Sequence, residues 1–136
     1  MNDTFALKMC DLQGRLFELA GEKKVPSEWF IRSAMAGEVG KGLDSDYNPA
    51  QWRGEEYLLE EVLSSRQKEA ERNGAVYSRE VLYWTGYLYR YWHYLTGESS
   101  AKILRMAPPK TMRQNYTMFH TMDPALAIEN LKELRK

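Results

Sequence analysis

The chain reads as an all-α protein, a compact bundle of six or seven helices forming a single domain over residues 1–136. Two observations predict this. Apolar residues recur at spacings of three and four, while the period-two alternation of half-buried strands is almost absent. Capping residues, prolines and glycines punctuate the apolar runs where helices start and stop. A chain of 136 residues with 43% hydrophobic content buries roughly two-thirds of its unfolded surface, so it needs no disulfide or metal staple.

The first helix starts at Asp3 or Thr4, whose side chain can accept a free backbone N–H. Phe5, Met9, Leu12, Leu16 and Leu19 form its apolar stripe, and Gly21 suits the left-handed position that ends it. A second helix opens near Pro26-Ser27 with Trp29, Phe30, Ala34 and Met35 inward; Gly37, Gly40 and Gly42 weaken and end it. Asn48-Pro49, a cap followed by a first-turn proline, opens a third that runs to Asn73-Gly74. Trp52, Leu59, Val62 and Leu63 should face inward there, while Glu55, Glu56, Glu60, Glu61, Lys68, Glu69 and Arg72 make a solvated face.

Ser78 caps the fourth helix, with Tyr77 and Leu82 placed as a hydrophobic staple, and Gly97 stops it. Ser99 or Ser100 starts a short helix that reaches Met106, and Pro108-Pro109 ends it. Another helix runs from about Pro109 to Phe119. Asp123-Pro124 opens the last, with Leu126, Ile128, Leu131 and Leu134 available for packing and a basic end that suits the helix dipole.

Nineteen basic residues balance nineteen acidic ones. Binding to nucleic acid through phosphates usually needs a basic excess, so the balance argues against a dedicated binder of that kind. Cys10 is alone, which excludes a disulfide framework and a cysteine-rich zinc site; its helical position reads as buried packing. No segment approaches the ~20 apolar residues of a membrane span. The opening MNDTFALKMC lacks a signal peptide's basic flank and apolar run, so a cytoplasmic location and no membrane partner are expected.

The segment VLYWTGYLYRYWHY, Val81 to Tyr94, holds five of the nine tyrosines. Helical spacing divides it. Val81, Trp84, Leu88, Tyr91, Trp92 and Leu95 make a core stripe. Tyr83, Tyr87, Arg90 and Tyr94 make a second, which is either further core or a partner-binding platform. Tyrosine supplies a rigid apolar body with a hydrogen-bonding tip, and Arg90 would pair with an acidic group on the partner. His93 belongs to neither stripe.

Three other constellations bear on chemistry. Asp44, Asp46, Asn48 and Glu55 match four positions of a calcium loop, but Pro49 stands where a glycine turn is required and Gln51 where an apolar residue is expected. Capping accounts for Asn48-Pro49 instead, and neither metal nor cofactor is expected. Arg113 and His120 in RQNYTMFH resemble the R-x4-6-H motif of HEPN ribonucleases, which would imply proton transfer by His120 and phosphate stabilisation by Arg113. The segment TGESSAKILRMAPPKTMRQNY has the outline of a helix-turn-helix, with Lys110, Thr111, Arg113, Gln114 and Asn115 on its second helix; the double proline and the missing turn glycine depart from the standard motif.

The stretches GEEYLLEEV (54–62), YWTGYLYRYWHYLTGESS (83–100) and APPKTMRQNYTMFHTMDPALAIENL (107–131) resemble a family of small uncharacterised bacterial proteins, all-helical and in some cases antitoxin-like. The resemblance covers roughly the last two-thirds of the chain. It implies a cytoplasmic binding role and transfers no catalytic motif. With no catalytic residues assigned, the expected function is a non-enzymatic protein-binding or regulatory module using Tyr83, Tyr87, Arg90 and Tyr94. The alternative is a nucleic-acid-directed protein, either a helix-turn-helix DNA binder or a HEPN-like ribonuclease. Oligomeric state is open.

Overall fold

The computed structural model describes residues 3–46, 49–66 and 74–135. These form eight α-helices and no strand: α1 (Thr4–Glu22), α2 (Ser27–Ala36), α3 (Glu38–Asp44), α4 (Glu55–Arg66), α5 (Arg79–Thr96), α6 (Ser100–Met106), α7 (Pro109–Phe119) and α8 (Pro124–Arg135). A 3₁₀ turn, Pro49–Trp52, lies between α3 and α4. The two long helices, α1 and α5, form the central pair; α6, α7 and α8 pack on α5, and α2 packs against α1, α6 and α7. The core runs from Cys10, Leu16 and Phe17 through Phe30 and Ile31 to Leu88, Tyr89 and Trp92, then to Ile103, Met112, Ile128 and Leu131.

Local capping chemistry sets most boundaries. The Asp3 carboxylate accepts from Phe5 N–H, Ser78 Oγ from Val81 N–H, Ser99 Oγ from Lys102 N–H and Asp123 from Ala125 N–H. Gly97 ends α5 in the left-handed conformation, φ 79°. Trp29, Phe30, Ala34 and Met35 are buried, as their spacing in α2 predicts.

Packing corrects several expectations. Gly21 does not end α1. The helix continues through Glu22, and Lys24 takes the positive φ of 62° beyond it. Gly21 instead makes room for Leu82, whose Cδ1 would lie 2.4 Å from any Cβ. Gly37 does end α2, but a further helix, α3, then runs through Gly40 and Gly42. Gly40 sits so tightly on α2 that a Cβ would lie 2.7 Å from the carbonyls of both Ala34 and Met35.

Pro49 opens only the 3₁₀ turn, and α4 begins at Glu55. Trp52 points outward, 77% exposed, with its ring centroid 5.5 Å from that of Phe5. The expected cap Asn48, the stop at Asn73, and Lys68, Glu69 and Arg72 lie outside the described residues. Finally, Leu95, Leu126 and Leu134 are exposed, while Ile128 and Leu131 supply the packing face of α8.

Candidate functional site

The crossing of α1 over α5 is glycine on glycine. A Cβ on Gly86 would come within 2.5 Å of the Gln13 carbonyl oxygen and 3.0 Å of the Gly14 Cα. This close approach lets the Gln13 side chain reach across the pair. Its Nε2 donates to the Gly86 carbonyl at 2.8 Å, and its Oε1 accepts from Arg90 Nε at 3.0 Å and Nη2 at 2.7 Å.

Arg90 is fully buried and its guanidinium is spent on the interior. Nη1 donates to Asp44 Oδ1 at 2.6 Å, and Nη2 to Ser100 Oγ at 2.9 Å. Ser100 in turn donates from N to Asp44 Oδ2 at 2.9 Å and from Oγ to Oδ1 at 2.6 Å. Asp44 ends α3 and Ser100 begins α6, so one guanidinium joins α1, α3, α5 and α6. Burial pushes the Asp44 carboxyl upward, but the Arg90 charge and the bonds from Ser100 and Arg90 outweigh it and hold the group below its ordinary range. Arg90 therefore does not stand on a partner-facing surface with the tyrosines. A buried charge left unpaired is far costlier than one that is bonded, and Gln13, Asp44 and Ser100 supply the bonds.

Tyr94 shares that inward side. Its hydroxyl is buried with no hydrogen-bond partner among the described residues, and the Arg90 charge acts on it. His93 Nδ1 lies 2.7 Å from the Glu98 carbonyl and 3.5 Å from Asp44 Oδ1. Below it, the Glu98 carboxylate accepts from Trp92 Nε1 at 2.8 Å and pairs with Lys102 and Lys132 at 3.2 and 3.0 Å. Burial raises that carboxyl, yet these bonds together bring it down to about 2.

Tyr83 and Tyr87 have a different fate. With Trp84 and Leu88 they form one wall and the floor of a groove of about 520 Å³. Tyr116 of α7 and His120, which caps that helix, line the side across from α5, and Met122, Pro124, Glu18, Arg79 and Glu80 complete the rim. The walls are held in place by their neighbours. Tyr83 donates its hydroxyl to Asp11 at 2.5 Å, and its ring lies on Gly14, where a Cβ would approach within 2.8 Å. Tyr83 and Tyr87 have ring centroids 6.0 Å apart, and Tyr87 stacks on buried Tyr91 at 6.4 Å.

Trp84 meets Tyr116 edge-on at 5.6 Å, and Tyr116 stacks on His120 at 4.2 Å. The His120 Nδ1 is 2.7 Å from the Tyr116 carbonyl, which fixes the ring at the end of α7. Burial, with Asp11 adding to it at Tyr83, pushes the Tyr83 and Tyr87 hydroxyls upward, so both stay protonated at neutral pH. The inner lining of the groove is mainly aromatic.

Half of the four-residue stripe thus lines the groove and half turns inward. Trp84, assigned to the core by spacing, is also groove wall. Tyr116 is a wall residue that helical spacing on α5 does not reveal, although Tyr116 and His120 at i and i+4 is the spacing that stacks rings on a helix. Arg113 lies over the Tyr77 ring, 4.5 Å from its centroid, and His120 lies on Tyr116; no contact joins the two. The second helix of the helix-turn-helix outline presents Lys110, Arg113 and Gln114 to solvent, while the Asn115 side chain bonds back to Thr111. The turn before it is pinned by Tyr89, whose hydroxyl donates to the Ala107 carbonyl at 2.5 Å.

Asp44 is committed to Arg90 and Ser100, and no group of three metal-ligating side chains occurs among the described residues. Cys10 is fully buried and its thiol is pushed up to about 12 by burial. Among the described residues no helix is long and apolar enough to cross a membrane. Comparison of the chain with known protein families, with curated proteins and with solved structures found no match.

Proposed function

We propose that the protein is a non-enzymatic binding module that seats a segment of a partner protein in the groove between α5 and α7. The observation that carries this reading is the groove itself: about 520 Å³ walled by Tyr83, Trp84, Tyr87, Tyr116 and His120, most of them fixed by neighbours. Side chains already immobilised lose little entropy on binding, so their apolar area converts efficiently into affinity. Occlusion of a partner's surface is the mechanism, and an antitoxin-like role in the bacterial cytoplasm is the form of it that the sequence resemblance supports.

A photo-crosslinking side chain at Tyr87 tests the reading in the native host. The expected result is one stoichiometric crosslinked protein that is lost when the same group is moved to the exposed Leu126 on α8. No adduct at Tyr87 at native expression overturns it.

The nucleic-acid reading draws support from the exposed Lys110, Arg113 and Gln114 of α7. A gel shift that weakens steeply with salt is its expected sign. RNA cleavage lost on His120→Ala would favour the ribonuclease form.

A further inference from the structure

We infer that the residue this groove receives is basic, an arginine or lysine of the partner held between aromatic faces and the carboxylate of Glu80. The inference rests on the binding reading above and fixes the sign of the partner's charge. From sequence, Arg90 supplied the charge of the platform and called for an acidic partner. The structure removes Arg90 from the surface and neutralises it with Asp44. What remains at the groove has the opposite sign.

The rim is built around Arg79. Its Nε donates to Glu18 at 2.6 Å, and Glu22 and Glu80 also act on its charge. Of these carboxylates only Glu18 bonds the guanidinium. Glu80 forms no ion pair among the described residues. Among the rim residues Glu18 neutralises Arg79 and the carboxylate of Glu80 is left over, and the N-terminus of α5 offsets about half of that charge, which leaves the rim negative.

The inner walls add to the preference. The faces of Tyr83, Trp84, Tyr87 and Tyr116 carry the negative lobe of the ring quadrupole, which attracts a cation and repels a carboxylate. Guanidinium suits the site best, because its plane stacks on a ring while its N–H edge reaches a carboxylate. The open arrangement of rings and acid thus complements a cation in the same way as the buried Asp44 complements Arg90.

Short random peptides displayed on phage and selected on the immobilised full chain test this. Selected peptides should share an arginine or lysine. Replacing that residue by citrulline in a synthetic peptide should weaken binding by roughly tenfold or more, and Tyr87→Ala should do the same. Glu80→Gln should weaken it by about fivefold and flatten the salt dependence, while Glu80→Lys reverses the preference.

Peptides lost on Tyr87→Ala but without a basic residue, or indifferent to Glu80→Gln, would overturn the charge and leave the groove reading intact. Peptides indifferent to Tyr87→Ala, or no enrichment at all, would overturn both. Circular dichroism of each variant confirms that folding is retained; if Tyr87→Ala unfolds, Tyr87→Phe with Tyr116→Leu replaces it.

Discussion

Tyr87 and Arg90 stand less than one helical turn apart on α5 and lead opposite lives. Arg90 is sealed among Gln13, Asp44 and Ser100, with each interaction fixed at hydrogen-bonding distance. Tyr87 looks onto open space bounded by α7. The helix supplies the same rotational spacing to both. What differs is the surface opposite: a glycine crossing and two helix ends on one side, a gap between helices on the other. Periodicity places a residue on a face, and only the neighbour across that face decides whether it becomes framework or surface.

Breaking the interior side should have the largest effect. Arg90→Met strands the Asp44 carboxylate and is expected to cost about 3–5 kcal/mol by urea denaturation. Adding Asp44→Leu should restore part of that loss, since replacing both members of a buried pair is far milder than replacing one. A double variant no more stable than the single would show that the pair is not coupled.

Acid tests the same network. Asp44 and Glu98 have folded values below their ordinary 3.8 and 4.5. Their contribution is therefore complete above those values and is lost as pH falls through the folded ones, for Glu98 between about 4.5 and about 2. The urea midpoint should drop across this window, and less steeply in Arg90→Met, where the charge that lowers Asp44 is gone. An equal slope in both proteins would count against the Asp44 assignment.

Gly86→Ala forces a methyl against the Gln13 backbone and should cost about 1–3 kcal/mol, read as a lower melting midpoint. On the groove side, Tyr87→Ala should cost only about 1–2 kcal/mol while weakening a groove-selected peptide by roughly tenfold or more. If it unfolds the protein instead, the distinction between framework and surface on α5 fails. Smallest of all, Trp52→Ser should change stability by no more than about 0.5 kcal/mol, because that side chain is already in solvent.

The all-helical fold was legible because caps and stops act over three or four residues. Ser78, Ser99 and Asp123 could be read from their own neighbours, and each does cap its helix. Gly21 was misread because its function is to admit Leu82 from another helix, which no local pattern reveals. Arg90 could not be placed for the same reason. Its partners lie 77, 46 and 10 residues away in sequence, and only the folded crossing brings them together. The groove was half visible: Tyr83 and Tyr87 came from spacing on α5, whereas Tyr116 and the wall made by His120 depend on where α7 docks. Trp52 shows the converse, an aromatic residue assigned inward by pattern that the 3₁₀ turn carries outward.

Cys10, the chain's one cysteine, sits wholly inside the α1–α5 pair with a thiol too basic to ionise at neutral pH. An alkylating reagent can reach it only when α1 lifts away, because the thiolate is the reacting species and the closed state supplies neither thiolate nor access. The unmodified protein thus carries its own clock for opening. Comparing the alkylation rate with and without a groove ligand would show whether binding on one side of α5 tightens the helix pair on the other.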